Sequence, residues 1–210
     1  MNRTISSHPH LVGALGNAVA AYHRGTYEHS ARVGSDAQLI GEAIGLDATS
    51  LESLGWAGAL HDLGKLAVPE RILAKTSTLT PHEWEQVKVH PVVGERLLLS
   101  ISTDLAPVAS AVRAHHERWD GTGYPDGLRG EAIPLLGRII AVVDVYDALT
   151  HERTYRRGRY TPEEARRMLG AERGTHFDPS LVPVYLRILD ARAVESEAER
   201  VSALPDCGVS

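Results

Sequence analysis

The segment Gly58 to Lys65, "GALHDLGK", sets an imidazole and a carboxylate side by side, with an ammonium three residues after the second. These are His61, Asp62 and Lys65. A second doublet, His115-His116, closes an apolar stretch, and His29, His90 and Asp144 each sit at or near another. An ionisable side chain in such a stretch costs on the order of several kcal/mol if nothing binds it. Together the doublets and single residues supply seven nitrogen or oxygen ligands. That is too many for one tetrahedral zinc and about right for two ions sharing a carboxylate. Successive helical residues diverge by about 100°, so His61 and Asp62 cannot share one seam. They can converge on a metal centre at the helix flank, with the two oxygens of Asp62 bridging neighbouring ions. The other histidines, His8, His10, His23, His82, His151 and His176, lie in polar surroundings with no partner in view, and Asp147 fits a solvated helix face.

Helices must position these groups, because helix signals recur along the chain and strand signals are almost absent. "TSLE" at Thr49, "TPHE" at Thr80 and "TPEE" at Thr161 have capping-box spacing, the last two with proline at the first helical position. Asp178-Pro179 precedes the apolar-spaced "LVPVYLRIL", and Pro134 precedes "LLGRIIAVVDVYDALT". His61 and Asp62 fall within a helical run, and His115-His116 ends another before a long polar loop, Glu117 to Pro134. The expected architecture is all-α, a single compact helical bundle with the ligands in its core. Residues 1–23 read as an N-terminal helical extension and 24–190 as the domain. Residues 191–210 read as a polar tail without strong periodicity, compatible with disorder.

Composition narrows the function classes. The chain has 210 residues, 43% of them hydrophobic and 23% charged, as in soluble globular proteins. Its net charge of −5 argues against general DNA binding while leaving room for a small anionic ligand in a local positive site. No apolar run approaches the roughly 20 residues that span a bilayer. Cys207 is the one cysteine, so neither a disulfide framework nor a thiolate metal site is available, and a cytoplasmic location is expected.

The order His29, His61-Asp62 with Lys65, His90, His115-His116, "DGTGYP" and Asp144 closely resembles the HD-GYP family of HD-domain metal-dependent phosphohydrolases. The likeness runs from about Tyr27 to Val182, and "HDLGKLAVPERIL" and "HHERWDGTGYPDGLRGEAIPL" are its specific signatures. It implies an all-helical fold and hydrolysis of cyclic di-GMP to linear pGpG or GMP by a metal-bridging hydroxide. It further implies that His29, His61, Asp62, His90, His115, His116 and Asp144 ligate iron or manganese, with Asp62 as the bridge. Lys65 is the implied catalytic contact to the scissile phosphate or the attacking water, beside Asp62. Arg153 and Arg156 match positions that grip phosphates, a task suited to guanidinium forks. Gly123, Tyr124 and Pro125 form the loop linked in the family to the substrate site and to contacts with diguanylate-cyclase (GGDEF) domains. Tyr124 with Trp119 would offer an aromatic surface to a guanine base or a partner protein.

Two departures stand out. Family members holding three metals carry a glutamate four residues before the first ligand histidine, where this chain has Gly25, so two divalent ions are expected. Thr154 stands where proline is usual, between retained arginines. The ligand set fixes phosphate-ester hydrolysis better than it fixes the base. A linear or different cyclic nucleotide as substrate therefore stays open, as do a metal-bound sensor with little turnover and a homodimeric assembly. With 28 residues before His29, too few for a receiver domain, an input signal is expected through a partner, the metals' redox state or expression.

Overall fold

The computed structural model describes residue 15 and residues 26–151 and 160–202. Along these the order is α1 (Thr26–Ala43), α2 (Ala48–Leu60), a 3-10 turn (Leu63–Ala67), α3 (Glu70–Leu73), α4 (Pro81–Val87) and α5 (His90–Ile101). There follow a 3-10 turn (Thr103–Leu105), α6 (Ala106–Ala114), a 3-10 turn (Gly130–Ala132), α7 (Leu135–Thr150), α8 (Pro162–Ala171) and α9 (Leu181–Ser202). Beyond one isolated bridge between Arg173 and Phe177, the described residues form no β-structure. The fold is all-α, as the helix signals require.

Local chemistry explains most of the helix starts. Thr80 and Thr161 each accept from the backbone N–H three residues on, and Glu83 and Glu164 accept in return from the threonine N–H. Each pair satisfies two orphan amides. The third expected box is different: α2 starts earlier than Thr49, because the Asp47 carboxylate accepts from Ser50 N and caps the helix itself. Aspartate is as good a cap as threonine, and here it comes first. At the far end, α9 runs through Asp190 to Ser202, so residues 191–202 are helical rather than a structureless tail. Residues 1–14 and 16–25, with Gly25, lie outside the described residues, as do residues 152–159 with Arg153, Thr154 and Arg156.

The core gathers around α7. Ile139, Ile140, Val142 and Val143 are buried, on a helix whose buried residues go nearly all the way round. Against it pack α1, α6 and α8, and α2 crosses α1 so closely that a Cβ on Gly58 would lie 2.5 Å from the Cα of Gly34. Each fully buried Leu or Ile contributes roughly 1.5–3 kcal/mol. The same burial fixes where the polar side chains of α1, α2 and α7 meet.

One contact locks the doublet to the next element. α2 ends at Leu60, so His61 is its C-cap and Asp62 is the N-cap of the 3-10 turn, instead of both lying inside one helix. That turn lies on α5 backbone to backbone, and a Cβ on Gly64 would sit 1.8 Å from the carbonyl oxygen of His90 and 2.7 Å from Gly94 N. No side chain fits there. Gly64→Ala must therefore push α5 away, at about 1–3 kcal/mol for overpacking, and thermal denaturation should show a clear fall in Tm. An unchanged Tm would contradict this packing.

Candidate metal centre

Three helix C-termini point at one spot. The last turn of a helix leaves carbonyl groups without partners, and in α2, α4 and α6 a histidine fills that need. His61 Nδ1 lies 2.7 Å from Gly58 O, His90 Nδ1 2.8 Å from Val87 O, and His115 Nδ1 2.6 Å from Val112 O. In each pair the ring N–H donates to the carbonyl, which fixes the tautomer and leaves Nε2 as a bare acceptor. The Nε2 atoms of His90 and His115 then face each other at 3.3 Å. Two lone pairs at that separation repel, and a cation between them removes the conflict.

The other ligand-type residues close around this point. Asp62 Oδ1 is 3.5 Å from His90 Nε2, and its Oδ2 is 3.4 Å from His61 Nε2. Asp144 Oδ1, from α7, lies 3.1 Å from His29 Nε2 and 4.0 Å from His61 Nε2. Two groups result whose ligand atoms lie within 4.8 Å of one another, His90 with His115 and His116, and His29 with His61 and Asp62. All seven sequence-predicted metal residues thus come together, from α1, α2, the turn after it, α5, the end of α6, and α7. Bare imidazole nitrogens turned inward with two carboxylates are a donor set suited to divalent transition metals. These groups could hold metal ions.

Electrostatics at His90, His115 and His116 agree with that use. Burial lowers the imidazoles of His90 to about 4 and His116 to about 3, and drives His115 well down, so all three are neutral and able to ligate near pH 7. Burial works against ionisation of Asp62, but Lys65 and then His61 hold its carboxyl well below the usual range, so it stays charged. Lys65 Nζ is 2.6 Å from Asp62 Oδ2. The lysine also lines a cavity of about 480 Å³ beside the cluster, with His90, His116, Tyr124 and Trp84.

Two supporting residues escaped the sequence reading. Asp147, expected on a solvated face, is buried, and its Oδ2 lies 2.6 Å from His29 Nδ1. Arg32 grips the same carboxylate with two nitrogens at 2.5 and 3.0 Å, and His151 Nδ1 lies 3.0 Å away. Burial would raise the Asp147 carboxyl, but the His29 and Arg32 hydrogen bonds bring it to about 2. Burial lowers His29, but hydrogen bonds to Asp144 and Asp147 more than reverse this, to about 9. Asp147 therefore orients His29 as the helix carbonyls orient His61, His90 and His115. Its signal was the i, i+3 spacing to Asp144, which puts both carboxylates on one helix face.

Glu117 is the second. It is buried, and its carboxylate accepts from Asp126 N at 2.7 Å and Leu128 N at 3.0 Å, stapling the long loop. Gly123 lies so tightly against that loop that a Cβ would meet Arg118 N at 2.3 Å. The Tyr124-Pro125 peptide bond is cis. Tyr124 stacks on His116 at 4.8 Å and meets Trp84 edge-on at 6.2 Å. Trp119, its expected partner, lies instead under Arg138, 5.8 Å from the guanidinium carbon, because its backbone N–H is tied to His176 O. Of the histidines left unpartnered in the sequence reading, His82 bonds Gln86, His151 meets Asp147, and His176 stacks on Phe177 at 4.2 Å.

Residues 14–181 match the HD domain family. The chain belongs to that family. The His61-Asp62 and Gly123-Tyr124-Pro125 motifs make it an HD domain of the HD-GYP type. It is 40% identical over 181 residues to the 3'3'-cGAMP-specific phosphodiesterase 2 of Vibrio cholerae, covering 86% of this chain and 34% of the relative. To the cyclic di-GMP phosphodiesterase response regulator RpfG of Xanthomonas campestris it is 39% identical over 188 residues, covering 89% and 50%. This HD domain thus spans between a third and a half of the length of those relatives. Among solved structures, a cyclic GMP-AMP specific phosphodiesterase of V. cholerae superposes with a TM-score of 0.67 at 23% identity, over 93% of this chain and 53% of that one. The HD domain of the Listeria monocytogenes phosphodiesterase PgpH in complex with cyclic-di-AMP gives 0.58 at 15%, over 86% and 95%. Both likenesses bear on the fold. No helix among the described residues is long and apolar enough to cross a membrane.

Asp62→Ala should abolish metal retention, because it removes the carboxylate whose two oxygens face His61 and His90. Asp147→Asn should weaken metal affinity about 10–100-fold, the usual effect of losing a group that orients a ligand, while His82→Ala should change nothing. Metal content after graded chelator competition reads all three. Full retention by Asp62→Ala would contradict the geometry.

Proposed function

We propose that the chain hydrolyses a cyclic dinucleotide, cyclic di-GMP or 3'3'-cGAMP, at a pair of divalent metal ions. The observation that carries this reading is Asp62, whose two oxygens face imidazoles of different groups while Lys65 sits against it at the cavity wall. The relatives support the substrate class, since those named above act on cyclic di-GMP or cGAMP. His29, His61, Asp62, His90, His115, His116 and Asp144 are the proposed ligands, with Asp62 as bridge. Mixed imidazole and carboxylate donors suit iron or manganese. Two such ions supply Lewis acidity toward a phosphodiester and lower the pKa of a bound water toward neutrality.

The chain's own residues do the remaining work. Asp62 stays ionised in its buried place because Lys65, at 2.6 Å, holds its carboxyl low. Lys65 reaches a non-bridging phosphoryl oxygen from the cavity wall and stabilises the charge that develops as the P–O bond breaks. Hydrolysis adds one water across that bond, opening the ring to linear pGpG, and a second cut gives GMP. Arg153 and Arg156 are proposed to hold phosphate oxygens in both ground and transition states. Tyr124, with Gly123 and Pro125, borders the cavity at the end nearest His116. Contacts of this loop with diguanylate-cyclase domains, a homodimer and a cytoplasmic site of action complete the proposal.

Product chromatography after incubation with cyclic di-GMP and Mn²⁺ or Fe²⁺ tests the activity, and metal analysis of anaerobically purified protein should give close to two ions per chain. Lys65→Ala should cut kcat by about 10²–10³, as for one electrostatic stabiliser, with metals retained. Arg153→Ala should mainly raise KM, the mark of uniform binding. A Lys65→Ala enzyme with unchanged kcat would return that residue to a surface role.

A further inference from the structure

The cavity beside the ligand cluster has an outer half that phosphate chemistry does not use. Lys65, His90 and His116 line its side at the cluster, and Trp84 with the segment Thr76 to Leu79 lines it away from the ligand residues. A line of ring contacts leads outward, from His116 to Tyr124 at 4.8 Å and from Tyr124 to Trp84 at 6.2 Å. Tyr124 is the aromatic residue the sequence singles out, yet its ring is already engaged. His116 stacks against it at an interplanar angle of 27°, and Lys88 Nζ lies 6.0 Å from its centroid. Trp84 meets Tyr124 only edge-on, with an interplanar angle of 78°, and remains 45% exposed. Among the described residues it is the most exposed ring lining this cavity.

The surroundings hold that indole in place and suit a base. Trp84 belongs to α4, whose start is fixed by the Thr80–Glu83 capping box. Lys75 Nζ is 2.5 Å from Glu83 Oε2, which pins the preceding segment to the same helix. That segment presents the exposed side chains of Thr76, Ser77 and Thr78 to the cavity. An indole face flanked by hydroxyl groups matches a planar ring with a polar edge. A lipid chain would leave those hydroxyls unanswered, and a bare phosphate would leave the indole unused. A volume of about 480 Å³ lies within the usual range for small-molecule sites.

We propose that this outer half is a nucleobase subsite in which Trp84 is the stacking platform, so that Trp84 sets the preference for a nucleotide over other phosphate esters. The inference rests on the cyclic-dinucleotide reading for the identity of the ligand. The base lies on Trp84 while its phosphate meets Lys65 and the ligand cluster. Sequence spacing alone could not reveal this, because a tryptophan on a short helix reads as core or surface.

The test uses the metal-loaded full chain and the variants Trp84→Ala and Trp84→Phe. Calorimetric titration with GMP and, separately, with inorganic phosphate reads base and phosphate recognition apart, alongside steady-state hydrolysis of cyclic di-GMP. Trp84→Ala should weaken GMP about tenfold, within the range of losing one base stack, and leave phosphate affinity unchanged. KM for cyclic di-GMP should rise about as much with kcat within about twofold, and Trp84→Phe should restore most of the loss. If GMP and phosphate affinities fall together, Trp84 only shapes the cavity and the proposal is overturned. If neither changes, the base lies elsewhere and it is overturned as well. A tenfold GMP-specific loss in a chain that hydrolyses no cyclic dinucleotide would sink the phosphodiesterase reading and leave the subsite standing.

Discussion

The hydrogen bond from a histidine Nδ1 to a carbonyl at the end of a helix is the constraint on which the rest of this structure depends. It occurs at His61, His90 and His115, each time three residues past the carbonyl it satisfies. Each bond does two things at once. It relieves a helix terminus of an orphan acceptor, and it turns the ring so that the remaining nitrogen can point only inward. Once the helices pack, the tautomers and directions of three imidazoles follow. Bringing His90 and His115 Nε2 to 3.3 Å is unfavourable in the bare protein and becomes favourable with a cation. Fold and metal affinity are thus linked: the packing that stabilises the domain holds together donors that repel until an ion is bound.

Close backbone contacts make this convergence possible. Gly64 lets the turn after Asp62 lie directly on α5 at His90, and Gly58 lets α2 cross α1 closely, bringing the His61 and His29 ring centroids to 5.1 Å. On the far side, the Glu117 carboxylate folds the long loop back until Tyr124 covers His116. The site is therefore closed by structural glycines and a buried staple on one side and open toward Lys65 and Trp84 on the other. Among the described residues, the cavity beside the cluster offers an approach past a cation, Lys65, and an aromatic face, Trp84.

Much of this was legible in the sequence. The seven ligand-type residues stood out because ionisable groups in apolar runs need partners, and all seven converge. The Thr80 and Thr161 boxes were read correctly because capping is local. What escaped depended on long-range contact. Asp147 reads as solvated from its own helix alone, but α1 brings His29 and Arg32 against it, and Trp119 reads as the partner of Tyr124, but its backbone is tied to His176. The helix boundary between His61 and Asp62 was missed because periodicity over a few residues cannot separate an α-turn from a 3-10 turn, and α9 outran its apolar pattern past Asp190. Gly64 could be noticed in the sequence, but the carbonyl it makes room for could not.

The central claim is that one carboxylate, Asp62, joins two imidazole groups into a binuclear centre. Anomalous diffraction from crystals of protein loaded with Mn²⁺ or Fe²⁺ tests it most directly. The account predicts two anomalous peaks about 3.5–4 Å apart. One should be ligated by His90, His115 and His116 and the other by His29, His61 and Asp144, with one oxygen of Asp62 on each. A single peak, or two peaks with both Asp62 oxygens on the same ion, would contradict it.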